Sequence, residues 1–274
     1  MTVSRLDLDG LGSPTQLAAR IHDLLPDLAP DFSIEALCQL LDIASIEDKP
    51  LTSFAAVLIM DANKACGSIL VAQGTSPKRR RFSIGHELGH FLIPSHLPRP
   101  GQPISCSAAD LRVSDTHEKN RGRQIEAEAN RFAAHLLMPP ARIRAGLRSR
   151  QPDLSEVVRL AREFKVSKEA MARSYAEAHR ETLAVVILRG GRVERIYRPD
   201  DFPWIEARVG EPIPQDSIAC VHSLAPGEIS EMEECETGTW LSERNAARVE
   251  ILSEQVLGQC DCYATVLLHA EMVD

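Results

Sequence analysis

Apolar positions recur at helical spacing in the first half of the chain and at strand-like spacing in the last third. Leu17, Ile21, Leu24 and Leu25 follow Ser13-Pro14, a helix start with proline at the first helical position. Pro26 and Pro30 end that helix, and a second is expected from Ser33 with Ile34, Leu37, Leu40 and Leu41 on one face. Two strand-like runs follow, 54–60 (FAAVLIM) and 68–72 (SILVA), separated by the turn-prone DANKACG. Residues 79–93, RRRFSIGHELGHFLI, carry a helical apolar stripe of Ile84, Leu88, Phe91 and Leu92. Residues 94–124 are rich in Pro, Gly, Ser and charge and are expected to form a long loop. Helix resumes near Gln124 and runs to Met138, where Pro139-Pro140 stops it.

Beyond residue 150 the segment LSEVVRLAREFKVSKEAMARSYAEA predicts two short helices across a Lys165-Val166 turn, with Ser167 as N-cap of the second. From Thr182 the period changes. TLAVVIL and RVERIY predict a hairpin across Arg-Gly-Gly, and VEILSEQVLG and CYATVLLHA predict two more strands. No internal repeat is visible. The pattern implies an α+β protein in three parts. Residues 1–145 form a mainly helical domain with a small sheet, 146–180 a helix-turn-helix-like segment, and 181–274 a β-rich α+β domain.

Composition narrows the class. With 274 residues, 44% hydrophobic and 26% charged, the chain is an ordinary globular one, long enough for two or three cores. No apolar run reaches the length of a membrane span, and the N-terminus lacks a basic stretch followed by an apolar core. Seven Cys without dense spacing argue against a disulfide framework, so a soluble cytoplasmic protein with reduced thiols and no membrane partner is expected. The net charge of −8 is uneven: residues 1–140 carry −2, 141–180 carry +5 and 181–274 carry −11.

The candidate chemistry lies in His86-Glu87-Leu88-Gly89-His90. Histidines four residues apart share one helix face, roughly 6 Å from each other, so both can reach one ion. Glu87 sits beside that face, where a carboxylate takes a proton from water polarised by the metal. A third ligand must come from elsewhere. His96 has the spacing of an extended His-Glu-x-x-His-x-x-Gly-x-x-His motif, but Ile93 before Pro94 replaces the turning glycine, which predicts a loop residue. Glu126 shares a small, apolar helix face with Ala129, Asn130, Ala133 and Leu137, where a carboxylate would be buried and would need a partner such as a cation. Glu128 falls on another face, within reach of Arg131, and His117 lies in the loop with nothing to orient it. The shared helix face favours Glu126.

RRRFSIGHELGHFLI followed by IEAEANRFAAHLLMPP resembles the ImmA/IrrE family of metallopeptidases over about residues 30–145. That resemblance implies a zincin-like peptidase fold, metal ligands at His86, His90 and Glu126, and Glu87 as catalytic base. It implies zinc as cofactor, with manganese as the alternative. It further implies proteolysis of a helix-turn-helix transcriptional repressor to derepress genes, and a sensor-like C-terminal domain in the longer members. Gly85 stands where the family usually has Ala.

The rival expectation is a DNA-binding transcriptional regulator whose metal site is structural or sensory. Arg162, Lys165, Lys168 and Arg173 would then contact phosphates. The base-reading positions of the second helix (Glu169, Ala170, Met171) suit packing better than DNA readout, so direct DNA binding is not the leading expectation. Cys260 and Cys262 are expected to be buried free thiols, and Trp204 and Trp240 core residues.

Overall fold

The computed structural model describes residues 3–97, 104–107, 109–112, 120–149, 151–222 and 224–273. Its contacts divide the chain into two compact units. The first comprises Met1–Pro139 and Glu163–Ser167, the second Pro140–Arg162 and Lys168–Asp274.

In the first unit, α1 (Pro14–Leu24) begins on Pro14 and buries Leu17, Ala18 and Ile21. α2 (Ile34–Leu40) is capped by Ser33, whose Oγ accepts from Ala36 N at 3.1 Å, and it buries Ile34 and Leu37. A strand absent from the expectations follows, β1 (Ile43–Lys49), then β2 (Ala56–Met60) and β3 (Gly67–Ala72). Next come α3 (Pro77–Leu92), a short β4 (Ile104–Cys106) inside the expected loop, and α4 (Arg121–Leu137), which starts three residues earlier than Gln124. The sheet runs β1-β3-β2-β4, with β1 parallel to β3 and the other pairs antiparallel. β3 alternates buried and half-buried, so Gly67, Ile69 and Val71 face inward.

α3 packs on this sheet, and α4 packs on α3. The approach is close where Gly67 meets the end of α3: a Cβ there would lie 2.8 Å from Ile43 Cδ1 and 3.2 Å from the Phe91 ring. Two arginines of the Arg-Arg-Arg run fix the start of α3. The Arg81 guanidinium lies 4.5 Å over the Phe32 ring and donates to the Phe32 and Pro30 carbonyls. Arg80 pairs with Glu35 and, at 3.0 Å, with Asp48.

In the second unit, Pro140, expected only to stop a helix, also opens the next one, α5 (Pro140–Gly146). α6 (Leu154–Glu163, ending one residue beyond the unit) and α7 (Lys168–Ala178) follow, and both bury apolar faces that include Leu160 and Tyr175. β5 (Thr182–Arg189) and β6 (Arg192–Tyr197) form the expected hairpin, turned by Gly190 and Gly191 at φ 56° and 71°. With β7 (Glu233–Cys235), β8 (Val249–Gly258) and β9 (Tyr263–Met272) they make an antiparallel sheet in the order β6-β5-β9-β8-β7. One face of β5 (Ala184, Val186, Leu188) joins a core around Trp240 and Phe202, and α7 also packs on β5.

Glu254, fully buried in β8, accepts from Ser217 Oγ at 2.6 Å and Trp240 Nε1 at 3.0 Å. Glu169 of α7 binds Arg195 and the Tyr197 hydroxyl (2.7 Å), and Arg173 lies over the Tyr197 ring. Two polar residues of α7, Glu169 and Arg173, are thus engaged by β6. Trp240 is core as expected, but Trp204 is 64% exposed beneath Arg198. Cys260 and Cys262, expected to be buried, are exposed because they sit at the β8–β9 turn, where Asp261 and Cys262 adopt positive φ. No helix among the described residues is long and apolar enough to cross a membrane.

Candidate metal centre

α3 turns His86, Glu87 and His90 fully inward, and α4 brings Glu126 against them. His86 Nε2 and His90 Nε2 lie 3.0 Å apart. Glu126 Oε2 is 3.2 Å from the first and 3.5 Å from the second. Cys106 Sγ, delivered by β4, stands 3.3 Å and 3.6 Å from the same two nitrogens. These four ligand atoms all fall within 4.8 Å of one another.

The surrounding hydrogen bonds set the tautomers. His86 Nδ1 lies 2.8 Å from Asn130 Oδ1, an acceptor, and Asn130 Nδ2 in turn donates to the Asp110 carbonyl at 2.7 Å. His96 Nε2 meets Glu128 Oε2 at 2.8 Å, and burial holds the His96 ring neutral. His96 Nδ1 is then an acceptor, and His90 Nδ1–H donates to it across 3.1 Å. Both ligand rings therefore carry their proton on Nδ1 and aim an Nε2 lone pair at the cluster. Two lone pairs and a carboxylate oxygen converging at 3.0–3.5 Å repel unless a cation sits among them. A tetrahedral zinc site with bonds of about 2.0–2.2 Å spaces its ligands by about 3.3 Å. The donor set fits a divalent metal.

Burial lowers His86, but the Glu126 and Glu87 carboxylates and Asn130 raise it overall, the pull of an anionic pocket that a bound cation would offset. Burial works against ionised Glu126, yet its contacts with His86 and His90 hold its carboxyl well below the usual range, so it is an anion. Glu126 Oε2 has no hydrogen bond of good geometry among the described residues, and a cation between it and the two imidazoles would satisfy it. Burial drives His90 down to about 4, which keeps its ring neutral and ligand-ready. Glu87 is also fully buried with both oxygens unbonded, and burial raises its carboxyl to about 7 against the opposing pull of His86. Lys64 closes the end of α3, its Nζ donating to the His90 (2.9 Å) and Ile93 (2.6 Å) carbonyls.

Of the sequence candidates, His86, His90 and Glu126 come together, with Glu87 beside them. His96 is a loop residue, as expected, yet it is fully buried and supports His90 from behind. Glu128 pairs with His96, where the sequence suggested Arg131. His117 lies outside the described residues. Cys106 was missed; its only signal is the short Ile-Ser-Cys run inside a polar stretch, too brief to predict a strand.

Residues 54–174 match the family model of the IrrE N-terminal-like domain, peptidase family M78. No curated protein matches the chain. Among solved structures, a Mycobacterium tuberculosis transcriptional regulator shares the fold over 94% of this chain and 76% of its own, with a TM-score of 0.53 and 16% identity.

Proposed function

We propose, for a chain whose residues 54–174 form an IrrE N-terminal-like domain of the M78 peptidases, that it is a zinc-dependent endopeptidase acting in the cytoplasm on one specific protein. The observation that carries this reading is the convergence of His86 Nε2, His90 Nε2 and Glu126 Oε2, with each Nδ1 already committed elsewhere. Zinc suits two imidazoles and a carboxylate better than manganese does, because imidazole is the softer ligand. When bound, the cation supplies Lewis acidity, acidifying a water and polarising the scissile carbonyl.

The chain's own residues do the rest. Asn130 and the His96–Glu128 pair hold the two imidazoles in orientation. Glu87 makes no hydrogen bond of good geometry among the described residues and burial raises its carboxyl to about 7, so it is poised to take the attacking water's proton and pass it to the leaving amine. The substrate class, a helix-turn-helix repressor whose loss derepresses genes, rests on the family resemblance. A DNA-binding role through α6 and α7 is less well supported, since Glu169 and Arg173 are engaged by the sheet.

The test is a substrate trap. Full-length Glu87→Gln is expressed in the native host, isolated with what it holds, and each captured protein is incubated with wild-type chain and zinc. A repressor cut at one site by wild type and left intact by Glu87→Gln supports the reading. Equal cleavage by both removes Glu87 from the mechanism.

A further inference from the structure

We propose that Cys106 is a fourth protein ligand of the metal and closes the position that a catalytic site keeps for water, so that the peptidase is held latent. The proposal rests on the metal site argued above and adds a residue and a regulatory consequence to it.

Three observations carry it. Cys106 Sγ stands 3.3 Å from His86 Nε2 and 3.6 Å from His90 Nε2, the same range as Glu126 Oε2. The thiol is fully buried at the cluster, unlike the exposed Cys66, Cys220, Cys260 and Cys262. Beside it lie the fully buried Glu87, whose one polar neighbour of note is the Cys106 thiol itself, and Glu126 Oε2, which makes no hydrogen bond of good geometry among the described residues. Such under-satisfied acceptors are what a cation between them and the thiol would account for.

Number of ligands then decides function. Catalytic zinc sites have three protein ligands and one open position, whereas four protein ligands make a closed site. A thiolate also favours zinc over the harder manganese. On metal entry the thiol proton passes to solvent, one metal–sulfur bond forms, and water is kept out of that position. Opening is the reverse: the metal–sulfur bond breaks, the sulfur regains a proton from solvent, and water enters.

The location suits a movable ligand. β4 is three residues long and sits at the end of its sheet, paired among the described residues with β2 through Ala56, Val57 and Leu58. Its displacement would leave the helices that hold His86, His90 and Glu126 in place.

The deciding experiment is X-ray absorption at the zinc edge of the full-length wild-type chain, alongside Cys106→Ala and Cys106→Ser. Wild type is expected to hold one zinc with one sulfur neighbour at about 2.3 Å, and the variants one zinc with only nitrogen and oxygen neighbours at about 2.0–2.2 Å. Cobalt-substituted wild type is expected to show a thiolate-to-metal charge-transfer band that both variants lack. Cleavage of the trapped substrate is expected to rise on the order of tenfold or more in the variants, as release of a mostly closed state requires. Bound zinc without sulfur, or variants no faster than wild type, overturns the latent site and leaves the metallopeptidase reading standing. Wild type that binds no zinc overturns both. Should a variant not fold, the wild-type spectrum still decides the ligand.

Discussion

Two glycines of α3 give opposite predictions for the same substitution. Ala is favoured over Gly in a helix interior by about 1 kcal/mol, so each change starts with that gain. At Gly85 the new Cβ would meet Ala133 Cβ at 3.5 Å and Leu137 Cδ1 at 3.7 Å, ordinary contacts that cost nothing. At Gly89 it would meet Phe132 Cδ1 at 3.0 Å and the Ala129 Cα and carbonyl oxygen at 3.3 Å. A side chain can rotate, but the Ala129 backbone yields only if α4 shifts, and overpacking of this kind costs about 1–3 kcal/mol. Gly85→Ala is therefore expected to stabilise the protein by about 0.5–1 kcal/mol. Gly89→Ala is expected to be neutral or to destabilise by up to about 2 kcal/mol. The α4 shift also carries Glu126, three residues before Ala129, so Gly89→Ala should weaken zinc binding while Gly85→Ala should not. Urea unfolding gives the first quantity and calorimetric zinc titration the second. If Gly89→Ala matched Gly85→Ala in both, the close α3–α4 packing would not govern the site.

Two other perturbations test its surroundings. His96→Ala removes the acceptor behind His90 and should lower zinc affinity about 10–100-fold, with stoichiometry unchanged, in the same titration. Arg80→Ala breaks partly exposed pairs with Glu35 and Asp48, and should cost about 1 kcal/mol near neutrality. Burial raises the Glu35 carboxyl, but its backbone bond, Arg80 and Ser33 bring it below its ordinary value of 4.5. A depressed carboxylate stabilises above its unfolded value and loses that contribution as pH falls through its folded one. The gap between wild type and Arg80→Ala, measured by urea unfolding, should therefore close as pH is taken well below 4.5; a gap that persisted in acid would assign the loss to packing.

What the sequence disclosed was local. The apolar stripe through Ile84, Leu88 and Phe91 placed His86 and His90 on one buried helix face, and the face shared with Ala129 and Ala133 singled out Glu126. Gly190-Gly191 marked the hairpin because only a left-handed pair turns there so tightly. What stayed hidden depended on distant segments. β1 has few apolar positions because it lies at a sheet edge, with the pattern buried at Ile43 and exposed beyond Ile46. Reasoning at Ile93-Pro94 excluded the glycine turn correctly, since Ile93 is extended, but the chain folds back two residues later, with His96 N donating to the Ile93 carbonyl at 3.1 Å. Cys106 is brought in by pairing with Ala56, fifty residues away in sequence, which no local period encodes. Trp204, expected in the core, lies exposed under Arg198 on the loop that carries it.

The central claim is that Glu126, and neither Glu128 nor His96, completes the metal site with His86 and His90. Zinc titration of the apo chain, compared with Glu126→Gln and Glu128→Gln, tests it most directly. One zinc is expected for wild type and for Glu128→Gln, the latter weakened about 10–100-fold through His96, and a distinctly larger loss is expected for Glu126→Gln. A Glu126→Gln chain that binds zinc as wild type does, with binding lost instead in Glu128→Gln, would contradict the account.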